Sequence, residues 1–484
     1  MTSAQDNATR MEQLRHEHGW NPEELKSLLA PERVHLGEAS RRDHASDETE
    51  DLVFVPDAVV EPTSTAEVSR ILAYAHAHHV PVTAAGARTG LSGGALPVQG
   101  GILLSTRRMN KIVAIDTLNH QAVVEPGVIT EELSNAAAAE GLMYAVDPAS
   151  RGTCTIGGNL AENSGGPRAV KYGVTKDWVL NLEVVLADGT VIETGANTLK
   201  NSTGYNLTQL MVGSEGTLGI VTRATLKLLP LPTHQALMLV PFKSAQDACE
   251  AVADLFQAGA VPSALEFMER DAVLLAQTFT GVHEPELQPD DEAHLLIEVD
   301  AFSQEDLMPQ CERMLPVLER HHAGEVLFAE SAAEKEKLWF LRRRVGEAVK
   351  AESVYKEEDT VVPRGELPAL LEAVKTLGKE HGFRSICYGH AGDGNLHVNI
   401  LKDGMDDDAW EAMMKVAIRA LFTRVVELGG TLSGEHGIGL VQKDFMDVAC
   451  SDRALDVMKG IKATLDPKGI LNPGKIFPGR NARI

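Results

Sequence analysis

The sequence predicts an α+β protein of two or three domains, and three observations carry that prediction. Short alternating, strand-like runs are interspersed with amphipathic helical periodicities along the chain. Three glycine-rich blocks lie within residues 86–222, and a pair of histidine-bearing, glycine-rich turns lies near the C-terminus. At 484 residues the chain is too long for a single hydrophobic core.

Composition narrows the function. The 69 acidic residues outnumber the 45 basic ones, for a formal charge of −24, and no basic run is longer than Arg342-Arg343-Arg344. Nucleic acid and anionic lipid are thereby excluded as general partners. No apolar stretch reaches the length of a membrane span, and the opening MTSAQDNATRMEQ lacks the apolar core of a secretory signal, so a cytoplasmic protein is expected. Cys154, Cys249, Cys311, Cys387 and Cys450 are scattered, odd in number and without CxxC spacing. That argues against iron–sulfur clusters, covalently attached haem and a disulfide framework. Redox chemistry would need another cofactor.

Residues 1–48 are polar and charged, with short helical patterns such as 21–29, and read as an N-terminal arm. An extended run at 54–60 gives way to Ser64-Thr65-Ala66-Glu67, a capping signal that opens a helix over 68–78. Strands are predicted at 80–85, 101–105, 112–116 and 122–126, and a helix at 130–140. Residues 181–187 and 191–194 read as a hairpin turning at Asp188-Gly189. Past the proline-bearing linker at 229–232 glycine thins out. Strand patterns at 236–241 and 295–299 then alternate with helical ones at 245–258 and 305–320, as in a separate α+β domain.

Chemistry concentrates in CYGHAGDGNLHVNI at 387–400 and SGEHGIGL at 433–440. Alternation over 385–388 and 396–401 predicts two strands, and Gly392 and Gly394 permit the backbone angles of a tight connection. His390 and His397, at either end of that loop, can converge. Glu435 offers a third ligand, with His436 beside it as a base. Imidazoles and a carboxylate, without thiolate, suit zinc, manganese or iron(II), and three ligands leave a position open to substrate. An acid and an imidazole between glycines are poor core material and point to a site.

The glycine blocks GARTGLSGGALP (86–97), DPASRGTCTIGGNLAENSGGPRAVKYG (147–173) and VGSEGTLGIVT (212–222) contain no Rossmann or P-loop signature. Closely spaced glycines nevertheless let backbone N–H groups approach an anion without any lysine. Three such loops in one domain favour an extended dinucleotide. PVTAAGARTGLSGG, the second block, GSEGTLGIVT and the terminal LNPGK resemble the FAD-binding domain of the vanillyl-alcohol oxidase type. The C-terminal loops resemble its FAD-linked oxidase C-terminal domain, and the resemblance runs from about residue 50 to the end. Within that fold the chain is most similar to the FAD-linked D-2-hydroxy-acid dehydrogenase family, whose members act on D-lactate, D-2-hydroxyglutarate or glycolate.

The resemblance implies a two-subdomain FAD-binding domain over 49–231 after the arm at 1–48. It implies an α+β substrate or cap domain with metal ligands over 232–425, and a segment at 426–484 that brings a metal and catalytic loop back to the flavin. It assigns the pyrophosphate to Gly86, Ala87, Arg88, Thr89, Gly90, Ser92 and Gly93. Pro148, Gly152, Thr155, Gly158, Asn159, Gly173 and Val174 would wrap the flavin and ribityl chain, Glu215, Gly219 and Ile220 the adenine side, and Asn472 would reach the flavin. Some relatives tether FAD through a histidine in the first loop; residues 86–94 contain none, so non-covalent FAD is implied. His390, His397 and Glu435 are the implied ligands of a divalent metal, zinc first and manganese or iron as alternatives, with Asn399 close by and His436 as the base. Arg342 in LWFLRRRVGEAV is expected to hold the substrate carboxylate, assisted by Lys356 in VYKEEDTVVP. Three departures from the family pattern stand out: Arg343 replaces the usual acid, Gly346 a frequent hydroxyl residue, and Lys356 lies one residue farther from Pro363.

The implied reaction oxidises a D-2-hydroxy acid to the 2-oxo acid, with hydride passing to the flavin. Electrons would leave to a separate acceptor: an electron-transfer flavoprotein, a quinone, a cytochrome or an iron–sulfur subunit. Peripheral placement at a membrane through that partner, and a homodimer, are the accompanying expectations. Two rival readings are an FAD oxidase or plasmalogen-type synthase acting on another alcohol, and a non-catalytic FAD-binding subunit of a multi-subunit oxidase. The metal constellation speaks against the first, and a full-length C-terminal domain against the second.

Overall fold

The computed structural model describes residues 4–49, 52–329 and 331–479, so the first three residues of the opening stretch lie outside the described residues. The chain forms two compact units. One takes the chain up to Gly165, Val174–Pro230 and the chain from Glu435 on; the other takes Gly166–Gly173 and Leu231–Gly434.

In the first unit, β1 (Val34–His35), β2 (Ala58–Val60), β3 (Val82–Ala85) and β4 (Ile102–Ser105) form a sheet of order β1-β2-β4-β3, with β2 and β3 parallel to β4. β2 and β4 are buried at every position, as expected of short parallel strands covered on both sides. Helix Thr65–Ala77 starts where the capping signal places it: the Ser64 hydroxyl oxygen accepts the Glu67 N–H at 3.4 Å. The segment read as an arm is part of this core. Met11, Trp20, Leu25 and Leu29 are buried with Ile71, Leu72 and Ile102 in one cluster. Its apolar residues are spread among charged ones, so no continuous periodic run betrays them. β5 (Ile112–Asp116), β6 (Gln121–Val124), β7 (Leu142–Met143), β8 (Val179–Val185), β9 (Val191–Glu193), β10 (Ile220–Lys227) and β11 (Leu229–Pro230) follow. Five of them make an antiparallel sheet of order β5-β6-β10-β8-β9, while β7 pairs with β11. The C-terminal segment returns to the edge of β3: the Val82 N–H donates to the Ile470 carbonyl and the Asn472 N–H to the Val82 carbonyl, both at 2.8 Å.

The second unit is built on one antiparallel sheet. Its strands are β12 (His234–Phe242), β13 (Ala264–Glu269), β14 (Ala293–Ala301), β15 (Leu327–Ala329), β16 (Tyr355–Val361), β17 (Arg384–Gly389) and β18 (Asn395–Leu401), in the order β15-β12-β14-β13-β17-β18-β16. Met268 pairs with Tyr388, Tyr388 with His397, His397 with Asp359, and Asn399 with Glu357. Directly paired residues point the same way and strands alternate with period two, so Glu266, Tyr388, His397, Asn399, Glu357 and Asp359 share one face. Helices Arg270–Thr280 and Ala332–Glu352 cover that face, packing Val273, Ala276, Trp339, Leu341 and Val345 against Met268, Leu296 and Tyr388. The second helix opens with a capping box: Glu334 N–H donates to the Ser331 hydroxyl at 3.2 Å and Ser331 N–H to the Glu334 carboxylate at 2.8 Å.

Candidate functional site

In the second unit the site face gathers around two imidazoles. β17 ends at Gly389, a single turn over Ala391–Asp393 follows, and β18 begins at Asn395. Gly394 closes that turn at φ +82°, and a Cβ there would run into the Val362 carbonyl. His390 and His397 are both buried, their ring centroids 5.3 Å apart and nearly perpendicular at 83°. His390 Nδ1 meets the Glu266 carboxylate at 2.8 and 2.9 Å. The same carboxylate binds Arg342 Nη2 at 2.6 Å, and the guanidinium lies 5.0 Å over the Tyr388 ring. Burial would raise the Glu266 carboxyl; the charges of His390 and Arg342 more than offset it and hold it below the ordinary carboxylate range. His397 Nδ1 faces Glu357 at 3.4 Å and Asp359 at 3.8 Å. Asn399 is fully buried beside them and donates to the Ile386 carbonyl at 3.3 Å.

Lys356 is not brought to this group. It pairs with Ile400 and points to the opposite face, while Glu357 takes the position beside Asn399. The spacing to Pro363, one residue longer than the family pattern, is the signal: with a period of two, one extra residue exchanges the faces. Ser433 and Gly434 are tied to Asp359, the partner of His397 in register, through a 2.8 Å hydroxyl bond and a 2.9 Å N–H bond. Glu435 and His436 are the next residues along the chain.

The first unit contains a cavity. Of the residues expected to hold FAD, Gly86, Ala87, Arg88, Thr89, Gly90, Pro148, Thr155, Gly158, Asn159, Glu215, Gly219 and Ile220 line it, and so do Glu435 and His436. Ser92, Gly93, Gly152, Val174 and Asn472 do not line it, and Gly173 belongs to the other unit. Asn472 instead braces the wall, its amide donating to the Gly94 and Glu215 carbonyls, each at 2.8 Å. Arg88 is the sole cation among the lining residues, and its guanidinium donates to the Asp43 and Ser46 carbonyls at 2.6 and 3.1 Å. A phosphate here would be held by glycine-loop N–H groups, so the residues fit a dinucleotide.

Two groups of this unit, half-buried Glu162 and buried Lys475, escape the sequence reading. Glu162, the last residue of helix Ile156–Glu162, lines the cavity and accepts the Ser92 hydroxyl at 3.2 Å. Its other oxygen has no hydrogen-bond partner among the described residues. Burial, and then the charge of Glu215, push its carboxyl well above the usual range. Glu215 accepts the Ile438 and Gly439 N–H groups at 2.9 and 2.8 Å, and burial pushes it up to about 7. Lys475 is buried on the Gly94 and Leu96 carbonyls at 3.2 and 2.6 Å, and burial pulls it down to about 8. Glu162 and Lys475 sit inside the quoted AENSGG and LNPGK text, yet nothing in their spacing distinguishes them from solvated charges.

Residues 231–476 match the family described as FAD linked oxidases, C-terminal domain, and residues 56–195 match the FAD binding domain. A D-lactate dehydrogenase of Anaerostipes hadrus is 38% identical over 93% of this chain and 95% of its own length. The glycolate oxidase subunit GlcD of Bacillus subtilis is 38% identical (94% and 96%), and a D-2-hydroxyglutarate dehydrogenase of Stutzerimonas stutzeri 34% identical (94% and 98%). Among solved structures, p-cresol methylhydroxylase with substrate bound superposes with a TM-score of 0.78 at 16% identity, covering 97% of both chains. Alkyldihydroxyacetonephosphate synthase gives 0.73 at 20% identity, covering 93% of this chain and 84% of its own. These two likenesses show the shared vanillyl-alcohol oxidase-type fold.

Proposed function

The chain belongs to the FAD linked oxidases and is a flavin-dependent oxidoreductase, and from that premise we propose that it oxidises a D-2-hydroxy acid to the 2-oxo acid with the help of a divalent metal. The observation that carries this reading is the buried Arg342–Glu266–His390 chain on one face with His397. A fixed guanidinium beside two imidazoles is suited to an anionic substrate with a hydroxyl next to its carboxylate.

His390, His397 and Glu435 would hold the metal; two imidazoles and a carboxylate suit zinc, with manganese or iron as alternatives. When bound, the metal supplies Lewis-acid polarisation of the hydroxyl and FAD supplies the hydride acceptor. The chain's own residues do the rest. Arg342 binds the substrate carboxylate; its Nε is buried without a hydrogen-bond partner among the described residues. Asn399 orients the substrate from the same face. His436 takes the hydroxyl proton, a task for which imidazole has a pKa near working pH. FAD is held without a covalent tether, the glycine loops taking its phosphates. Glu357 and Asp359 add negative charge to the Arg342 face, which favours acids with a single carboxylate, of the D-lactate or glycolate type, over 2-hydroxyglutarate.

The relative named as a glycolate oxidase subunit supports electron transfer to a separate acceptor, whether an electron-transfer flavoprotein, a quinone, a cytochrome or an iron–sulfur subunit. Among the described residues no helix is long and apolar enough to cross a membrane, and any membrane contact would be peripheral, through that partner.

The test is anaerobic bleaching of the metal-replete flavoprotein by D- and L-lactate, glycolate, D- and L-2-hydroxyglutarate and D-malate. Rapid loss of oxidised-flavin absorbance is expected with a D-monocarboxylate or glycolate, and its loss in His436→Ala at unchanged FAD content. Absence of bleaching by every acid would make the non-catalytic subunit the better reading.

A further inference from the structure

We infer that Glu266 is the positioning residue of this site: one carboxylate holds His390 in the Nδ1–H tautomer and Arg342 in place, tying the metal ligand to the substrate-binding guanidinium. The inference rests on the metal-dependent reading proposed above and adds to it a residue that no sequence pattern singled out.

β13 is buried at all of its positions, and Glu266 within it is fully buried between Leu265 and Phe267. An unpaired carboxylate there would be strongly destabilising, so its retention requires compensating partners. Both partners are functional candidates. His390 Nδ1 lies within 2.8 and 2.9 Å of the two carboxylate oxygens, and Arg342 Nη2 is 2.6 Å from one of them. A carboxylate accepts only, so the proton of a neutral His390 sits on Nδ1 and the lone pair on Nε2. That tautomer is the one in which Nε2 coordinates a cation. A carboxylate behind a ligating imidazole fixes the ring and raises its basicity. The guanidinium is drawn to the same group as an ion pair, although neither its Nε nor its Nη2 makes a hydrogen bond of regular geometry among the described residues. Glutamine in this place has one acceptor oxygen and would set its NH2 against one of two donors, satisfying one partner at the expense of the other.

The experiment measures zinc affinity of the FAD-loaded wild type and of Glu266→Gln by competition with a chromophoric chelator. We expect the variant to keep its FAD and to bind zinc about 10–100-fold more weakly, with KM for the hydroxy acid raised. Equal zinc affinity in the two proteins overturns the inference alone. A wild type that binds no zinc removes the metal reading and the inference together. Should Glu266→Gln not fold, the histidine tautomers of metal-free wild type decide the matter, read by long-range 1H–15N NMR with His390→Gln for assignment. An Nδ1-protonated His390 is expected, and an Nε2-protonated one overturns the proposal.

Discussion

Arg342 has its geometry set before any substrate arrives: Glu266 at 2.6 Å, the Tyr388 ring at 5.0 Å, and helical neighbours Leu338, Leu341 and Val345 in the core. Its companions Arg343 and Arg344 lie instead over Trp339 and Phe340 and pair with Glu336 and Glu347. One arginine of the basic run is therefore turned inward and two are surface groups. The contrast with Lys356 is testable. Arg342→Ala is expected to lower kcat/KM by about a hundredfold or more, the scale of losing one partner of a buried charge pair. Lys356→Ala, half-buried on the opposite face, is expected to stay within about threefold. Steady-state kinetics with the best acid of the panel measures both. An equally large loss for Lys356→Ala would show that the strand register does not decide the substrate site.

At the scale of elements, the β17–β18 turn sets the separation of the two histidines. The glycines at 392 and 394 mark it in the sequence, and the structure shows that Gly394 has a second constraint besides its φ of +82°, the approach of the Val362 carbonyl from the chain beyond β16. Gly394→Ala meets both constraints. A left-handed conformation costs about 1 kcal/mol for an L residue, and the clash adds to it, so a loss of about 2 kcal/mol or more is expected. Urea unfolding checks it. Zinc binding should weaken in parallel because the ends of the turn carry His390 and His397.

At the scale of the molecule, two desolvated carboxyls of the first unit make stability depend on pH. Glu215 is raised to about 7, and Glu162 is raised well above its ordinary value. In the window between the unfolded and folded values the native state holds protons that the unfolded chain has released. Their contribution to stability is therefore fully present below about pH 4.5 and is lost as pH rises through the folded values. Urea unfolding at constant ionic strength is expected to show a decline from pH 5 to 7 that Glu162→Gln makes shallower. A flat profile in both proteins would mean that neither carboxyl stays protonated in the folded state.

The FAD domain was legible from the sequence because glycine loops, capping signals and short alternating strands are local: Gly86–Gly90 or Ser64–Glu67 declare their backbone requirements within a few residues. The same holds for His390 and His397, whose separation is set by one turn. Residues whose importance comes from a distant partner were not legible. Glu266 meets His390 from 124 positions away, and Glu215 meets Ile438 from 223. The sequence by itself determined the cofactor class and many of the strands, and it singled out His390 and His397 as candidate ligands. Only the tertiary structure decided that Met11, Trp20, Leu25 and Leu29 join a core, that Glu357 rather than Lys356 stands beside Asn399, and that a buried carboxylate joins Arg342 to His390. The physical reason is that strand register and the pairing of buried charges are set by which strands lie side by side, and no local pattern encodes that neighbour.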